Sequence, residues 1–104
     1  IDPLFETILK KARDIVVKNK GDIYFIYLPE FSRYKSNIPS DDYRKKSQVI
    51  DLIKNLDIPV IDIHEELFSK QKDPFLFFPF SKKGHYTAET DKRIAEIIVS
   101  RIEP

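Results

Sequence analysis

Ile23-Tyr24-Phe25-Ile26-Tyr27-Leu28 decides the fold, because it is apolar at every position and does not alternate with polar residues. β-Branched and aromatic residues fill it, and its short length favours a strand over a helix. A strand that is apolar on both faces is typical of a parallel sheet covered by helices. Pro29 follows directly and predicts the end of the strand.

A second apolar run, Ile58-Pro59-Val60-Ile61-Asp62-Ile63, predicts another strand. Pro59 stands near its beginning, where a strand tolerates a residue that has no N–H donor. Helical patterns surround both runs, with apolar residues recurring at three- and four-residue steps. Strands separated in this way by helical segments predict parallel pairing through a right-handed crossover.

Capping residues mark the ends of the predicted helices. Asp2 followed by Pro3 predicts the start of the first helix, and Gly21 predicts its end. Ser40 and Thr87 predict the N-caps of a second and a last helix, each followed by acidic residues that suit the positive end of the helix dipole. A short helical piece is expected between the second strand and the last helix.

The expected fold class is α/β, with about two parallel strands and three to four helices in residues 1–104. Two strands make a poor sheet, because three or more are usually needed for independent stability. We therefore expect residues 1–104 to form a single piece of a larger domain, whose further strands lie upstream or come from another chain. The open edge of such a sheet can also pair with a second copy of the chain, giving a homo-oligomer.

The composition excludes several classes of function. Of the 104 residues, 41% are apolar and 34% are charged, and the formal net charge of +1 gives no footprint for nucleic acid or an anionic membrane. The absence of cysteine excludes disulfides and thiolate metal sites. Gly21 and Gly84 are the only glycines, so no glycine-rich phosphate loop exists, and no apolar run reaches the ~20 residues of a membrane span. No cofactor is expected, and the sequence does not indicate a compartment.

His85 is the best candidate for a catalytic residue. Open α/β sheets bind ligands outside the carboxyl ends of their strands, which here are Leu28-Pro29-Glu30 and Asp62-Ile63-His64. The loop 73–87 is expected to return over that edge before the last helix, and it carries His85. An unperturbed imidazole titrates near pH ~6.5, which suits general-base work. The alternative is a histidine that only packs in the loop or faces solvent.

A distinctive run surrounds this histidine: Asp73-Pro74-Phe75-Leu76-Phe77-Phe78-Pro79-Phe80-Ser81-Lys82-Lys83-Gly84-His85-Tyr86-Thr87-Ala88-Glu89, followed by Arg93-Ile94-Ala95-Glu96. It resembles the last conserved block of the SGNH/GDSL-type hydrolases, in which a Phe-Pro segment precedes a Gly-His-Tyr-(Asn/Thr)-x-Glu stretch and an Ile-Ala helix. Upstream, the strand end Tyr27-Leu28-Pro29 and the run 58–63 follow the order of that family as well.

The resemblance implies a Ser-His-Asp hydrolase on a flavodoxin-like three-layer α/β/α sandwich. Its substrate would be a small-molecule ester, as in esterases, lipases and carbohydrate O-acetyl hydrolases. By similarity, His85 would take the proton from a serine hydroxyl during acyl transfer.

The chain departs from the family pattern at three points. Gly21-Asp22-Ile23 has isoleucine where the nucleophilic serine would stand. The oxyanion-hole glycine and asparagine belong to upstream blocks that the chain does not contain. Lys82 occupies the usual place of the acidic partner, three residues before the histidine. The chain is therefore interpreted as the C-terminal, histidine-bearing part of such an enzyme, inactive by itself. The alternative is a non-catalytic α/β interaction or assembly module.

Asp73 is the nearest upstream acid in the loop and the candidate for the carboxylate that orients His85. The loop between them has to fold back for that contact. Asp73 can equally cap the turn that it makes with Pro74, as is common for Asp-Pro. A main-chain carbonyl that orients His85 is a further alternative.

Asp62 and His64 are two residues apart, so on a strand they face the same side. With Glu65 and Glu66 they form a conceivable metal cluster. The favoured interpretation is that Asp62 caps the next short helix and that His64 is exposed, and no metal is expected.

Two other sets of residues have a functional and a structural interpretation. Ser32 and Ser36 are interpreted as polar loop residues, because neither stands in a Gly-x-Ser-x-Gly elbow. The phenylalanines of the loop 73–84 either line an acyl pocket or seal the sheet edge as core, and core is favoured for at least half of them. These are Phe75, Phe77, Phe78 and Phe80.

Overall fold

The computed structural model describes residues 2–34, 45–81 and 84–103. The chain has a mixed α/β structure in which two strands pair in parallel. In chain order the described elements are α1 (Pro3–Lys18), β1 (Phe25–Tyr27), α2 (Lys46–Asn55), β2 (Val60–Asp62), α3 (Ile63–Glu66) and α4 (Ala88–Ile102). Short 3₁₀ helices span Phe31–Tyr34, Phe68–Lys70, Pro74–Phe77 and Pro79–Ser81. The α/β class and the parallel pairing predicted from the sequence are thus confirmed.

Both strands are shorter than the apolar runs that predicted them. β1 keeps only the centre of the run 23–28, and β2 keeps the centre of the run 58–63. The N–H of Ile58 donates to the carbonyl of Ile53 at the end of α2, and Ile63 already belongs to α3. The capping turn of α2 therefore takes the beginning of the second run, and a helix takes its last residue. The side chains of β1 are half-buried, whereas the sequence predicted burial on both faces.

The chain divides into two compact units, residues 1–26 with 41–60 and residues 27–40 with 61–104. Each unit has its own group of buried apolar side chains. Among the described residues, no helix is long and apolar enough to cross a bilayer.

The first unit is built on a small apolar cluster. The fully buried members come from α2 and the residues just after it: Ile53, Leu56 and Ile58. Partly buried side chains from α1, α2 and the strand regions pack against them: Phe5, Leu9, Ile23, Phe25, Val49, Leu52 and Val60. Two residues of the predicted apolar face of α1, Phe5 and Leu9, therefore pack against this cluster, but none of the described side chains of α1 is fully buried. Four apolar side chains of α1 are more than half exposed: Leu4, Ile8, Ile15 and Val17.

α1 begins and ends with defined caps. The side chain of Asp2 accepts the N–H of Leu4 at 2.9 Å, which confirms the predicted N-cap. At the other end Lys20 has a left-handed backbone with φ of 61°, and the N–H of Gly21 donates to the carbonyl of Val16 at 2.9 Å. This is the Schellman motif, in which glycine usually takes the left-handed position. The sequence placed the helix end at Gly21, but Lys20 is the residue that turns the chain.

α2 ends in the same way. Asp57 has φ of 60°, its N–H donates to the carbonyl of Lys54 at 3.0 Å, and the N–H of Ile58 donates to the carbonyl of Ile53 at 3.3 Å. Ile53 and Ile58 are both buried, which gives the apolar contact that often accompanies this motif. The predicted beginning of this helix at Ser40 lies outside the described residues.

In the second unit β2 passes into α3 without a loop. Asp62 is the last residue of β2 and also the N-cap of α3, where its side chain accepts the N–H of Glu65 at 3.3 Å. α4 begins after Thr87, whose hydroxyl oxygen accepts the N–H of Thr90 at 3.1 Å. Both capping predictions are confirmed.

Aromatic rings form the core of the second unit. Phe68 is 1% exposed and lies at the centre, with ring centroids of four neighbours at 4.5 to 6.0 Å. These neighbours are Tyr34, Phe77, Phe78 and Tyr86. Tilted and edge-on ring pairs at such distances are favourable beyond the apolar area that they bury. The loop that carries His85 is thus held by packing as well as by hydrogen bonds.

Candidate functional site

A pocket of about 470 Å³ lies in the second unit at the carboxyl end of β1. The residues after the strand, Leu28–Phe31, line one side of it. The segment Gly84–Tyr86 and Asp91 of α4 line the rest. This volume falls in the range of small-molecule sites, roughly 300 to 1,000 Å³.

One hydrogen bond joins the loop to the strand end. The hydroxyl of Tyr86 donates to the carbonyl oxygen of Pro29, which is buried and lies two residues after the end of β1. The loop therefore returns to the carboxyl end of a strand, as the sequence predicted. The side chain of Tyr86 is half-buried, and its ring packs against Phe68 and Phe78.

His85 is exposed and lines the pocket. Its Nδ1 lies 2.8 Å from the carbonyl oxygen of Tyr86. A carbonyl oxygen only accepts hydrogen bonds, so a hydrogen bond between these two atoms requires the proton on Nδ1. In the neutral imidazole Nε2 then keeps its lone pair and is able to take a proton from a hydroxyl group or water.

Asp73 is placed as a helix cap. Its Oδ1 accepts the N–H of Phe75 at 3.2 Å, at the start of the 3₁₀ helix Pro74–Phe77. No hydrogen bond joins Asp73 to His85 in the described parts of the chain, where both residues lie. The structure thus contains the two alternative arrangements, an Asp-Pro cap and a carbonyl partner for His85. The pairing of Asp73 with His85 stays a prediction.

His64 lies in a polar cluster rather than in solvent. Its Nδ1 is 2.7 Å from the hydroxyl of Tyr34 and 3.3 Å from Nε of Arg33, and its ring stacks on that of Tyr34. The side chain is half-buried, so the expectation of an exposed His64 was wrong. Within residues 2–34, 45–81 and 84–103, no group of three or more metal-binding side chains occurs.

Burial changes the acid–base behaviour of two tyrosines in this unit. Burial raises the pKa of Tyr86 to about 12, and the nearby carboxylate of Asp91 adds to the effect. Burial also raises the pKa of Tyr34, against the opposing effect of the Arg33 guanidinium. Both hydroxyls therefore keep their protons through the neutral range and remain hydrogen-bond donors.

The loop phenylalanines divide between core and surface. Phe77 and Phe78 are buried, which confirms the prediction that at least half of the four are core. Phe75 is half-buried, and Phe80 is 92% exposed. None of these four phenylalanines lines the pocket, whereas Phe31 does, and the sequence did not single out Phe31 for that role.

Several predicted positions fall outside the described residues or side chains. Ser36 and Lys82 lie outside the described residues. Ser32 belongs to the 3₁₀ helix Phe31–Tyr34, which follows the strand end. Tyr86 was missed as a site residue, although it stands next to His85 in the Gly-His-Tyr stretch. The Gly-His-Tyr stretch was the available signal. The carbonyl of Tyr86 that contacts His85 could not be predicted, because every residue type has a main-chain carbonyl.

Comparison with known proteins adds no assignment. No family model matches the chain, and no curated protein or solved structure matches it either. The residues around the pocket are therefore the basis on which a function is proposed.

Proposed function

We propose that this chain is the histidine-bearing part of an SGNH-type hydrolase that acts on ester bonds. In this proposal residues 1–104 contribute to a flavodoxin-like three-layer domain, and His85 is its general base. The observation that carries the proposal is the position of His85, which lines a pocket at the carboxyl end of β1. Its Nδ1 lies 2.8 Å from the carbonyl oxygen of Tyr86, so Nε2 is the nitrogen that can act as the base.

The proposed chemistry follows from that nitrogen. Nε2 of His85 takes the proton of a serine hydroxyl as the oxygen attacks the ester carbonyl, and then gives it to the departing alcohol. The sequence has no Gly-Asp-Ser stretch, so the serine is expected outside residues 1–104. The mostly apolar strand-end side of the pocket, with Leu28 and Phe31, suits the acyl or alkyl part of a small ester.

The test uses the full-length protein that contains this chain. We expect His85→Ala to lower kcat for p-nitrophenyl acetate by roughly 10² to 10⁴, because general-base catalysis contributes about that factor. Added imidazole should restore part of the rate by supplying the missing base. Lys92→Ala is the control, since Lys92 is exposed on α4 and does not line the pocket. Normal turnover in His85→Ala would rule out the assignment.

One observation favours the alternative, a non-catalytic module with the same fold. Within the described residues no carboxylate is hydrogen-bonded to His85, whereas the Ser-His-Asp arrangement uses one. A serine-directed fluorophosphonate separates the two proposals, because it labels the full-length protein only if an activated serine is present. Labelling supports the hydrolase, and its absence together with inactivity toward esters supports the module.

A further inference from the structure

We propose that Tyr86 is the positioning residue of this site, and that its main-chain carbonyl replaces a carboxylate in holding His85. The consequence for chemistry is a fixed tautomer, in which Nδ1 carries the proton and Nε2 is the base. The use of that tautomer in ester hydrolysis rests on the proposed function, but the tautomer itself does not.

The carbonyl that holds His85 belongs to a peptide unit fixed from its other side. The carbonyl of Tyr86 and the N–H of Thr87 are parts of one planar peptide, so they cannot turn independently. The N–H of Thr87 donates to the carbonyl of Phe77 at 2.9 Å, and Phe77 is buried. In a trans peptide the carbonyl points away from the N–H, and here it accepts Nδ1 of His85 at 2.8 Å.

The side chain of Tyr86 provides a second restraint on the position of Tyr86. Its ring centroid lies 5.4 Å from that of Phe68 and 5.3 Å from that of Phe78, and both phenylalanines are buried. Its hydroxyl donates to the carbonyl of Pro29 at the strand end. Because burial raises the pKa of Tyr86 to about 12, that hydroxyl remains a donor throughout the pH range of enzyme assays.

The carboxylate that the sequence predicted for this role, Asp73, is engaged elsewhere. Asp73 Oδ1 accepts the N–H of Phe75, and the residue three positions before the histidine is Lys82. The orienting acid of a serine hydrolase holds the imidazole in the correct tautomer and stabilises the imidazolium. A carbonyl supplies the first of these effects through the same Nδ1–H bond, and its partial negative charge supplies part of the second.

The tautomer is measurable by side-chain ¹⁵N NMR of the full-length protein that contains this chain, at pH 8 and without any substrate. We expect His85 to carry its proton on Nδ1, although free histidine in water prefers the Nε2–H form. His64 provides a contrast in the same spectrum, because its Nδ1 lies within hydrogen-bond distance of Nε of Arg33, which can only donate, so a neutral His64 would carry its proton on Nε2. Finding His85 in the Nε2–H form would overturn the proposal.

Two variants identify the group responsible. Tyr86→Phe removes the bond to Pro29, and we expect the Nδ1–H fraction of His85 to fall toward that of free histidine. Asp73→Asn removes the competing carboxylate, and we expect the His85 tautomer to be unchanged. A tautomer change in Asp73→Asn would overturn the proposal. If Tyr86→Phe does not fold, the wild-type tautomer and Asp73→Asn still decide the question.

The tautomer measurement tests the role of Tyr86, and the ester assay tests the proposed function, so a negative result in one does not decide the other. A full-length protein that is inactive toward esters, with His85 in the Nδ1–H form, contradicts the proposed function but leaves the positioning role of Tyr86 intact. Activity that depends on His85 but falls at least 100-fold in Asp73→Asn supports the hydrolase and rejects the carbonyl partner.

Discussion

The guanidinium of Arg13 donates from Nη1 to the carbonyl oxygen of Leu56, 2.7 Å away. Leu56 is the C-cap residue of α2, so a side chain of α1 caps the end of the other helix in the first unit. Carbonyls in the last turn of a helix have no partner within the helix, and the helix dipole places negative charge there. The half-buried guanidinium of Arg13 therefore gives this carbonyl a hydrogen-bond donor and also neutralises part of the negative charge at the helix end.

Replacing Arg13 should weaken the first unit. We expect Arg13→Ala to lower the free energy of unfolding by about 1 to 2 kcal/mol, because a charge-assisted hydrogen bond to a helix end is lost. Urea denaturation followed by circular dichroism measures the change. Lys10→Ala is the matched control, since Lys10 is an exposed cation on the same helix, and it should change stability by less than about 0.5 kcal/mol. Equal effects of the two changes would contradict the capping role.

Glycine should stabilise the two helix ends where a residue other than glycine has a left-handed backbone, which are Lys20 after α1 and Asp57 after α2. Lys20→Gly should raise the free energy of unfolding by about 0.5 to 1 kcal/mol, because glycine adopts φ of 61° without a Cβ penalty. Asp57→Gly should give a smaller gain, since aspartate tolerates this region better than lysine. Lys18→Gly lies within α1 and should instead destabilise by roughly 0.5 to 1 kcal/mol. Melting temperatures rank the three variants, and a loss in Lys20→Gly would disprove the motif.

Substitutions of one buried and one exposed phenylalanine should have different effects on the stability of the second unit, in that only the buried one should be costly. Phe68→Ala should cost about 3 to 5 kcal/mol, because a ring that is 1% exposed leaves a cavity among four aromatic neighbours. Phe80→Ala should change stability by less than about 0.5 kcal/mol, because that side chain is 92% exposed. Denaturation of both variants under the same conditions tests the contrast. A large cost at Phe80 would place its ring in contact with another part of the protein.

Alkaline pH should destabilise the chain through Tyr86. The folded state raises the pKa of this hydroxyl from 10.0 to about 12, so the unfolded chain releases the proton first. Stability from this group is complete below pH 10 and is lost as the pH rises toward 12. Denaturation midpoints between these values should fall less steeply in Tyr86→Phe than in the wild type. Parallel slopes would show that the hydroxyl is not protected in the folded chain.

Much of the backbone plan could be predicted, because its signals are local. Capping at Asp2, Asp62 and Thr87 depends on a side chain and an N–H only two or three residues away. Strand limits could not be predicted, because apolar residues suit both a strand and the core face of a helix. Ile63 belongs to a helix because the side chain of Asp62 caps one there.

The sequence predicted that the loop carrying His85 meets a strand end, but it did not predict the contacts made there. His85 and the strand end meet because parallel α/β topology brings strand ends and loops to one edge. The partner of His85 is a peptide carbonyl, which every residue has, so no residue type indicates it. The surroundings of His64 depend on Arg33 and Tyr34, which lie about thirty positions earlier in the sequence.

The direct junction between β2 and α3 restricts how this chain can vary in length. Asp62 ends the strand and caps the helix, so no spacer separates them. One inserted residue would rotate α3 by roughly 100° about its axis, because an α-helix has about 3.6 residues per turn. Ile63 and Leu67, both buried, would then leave the core. Insertions and deletions in proteins of this architecture should therefore avoid this junction and accumulate in the longer connections.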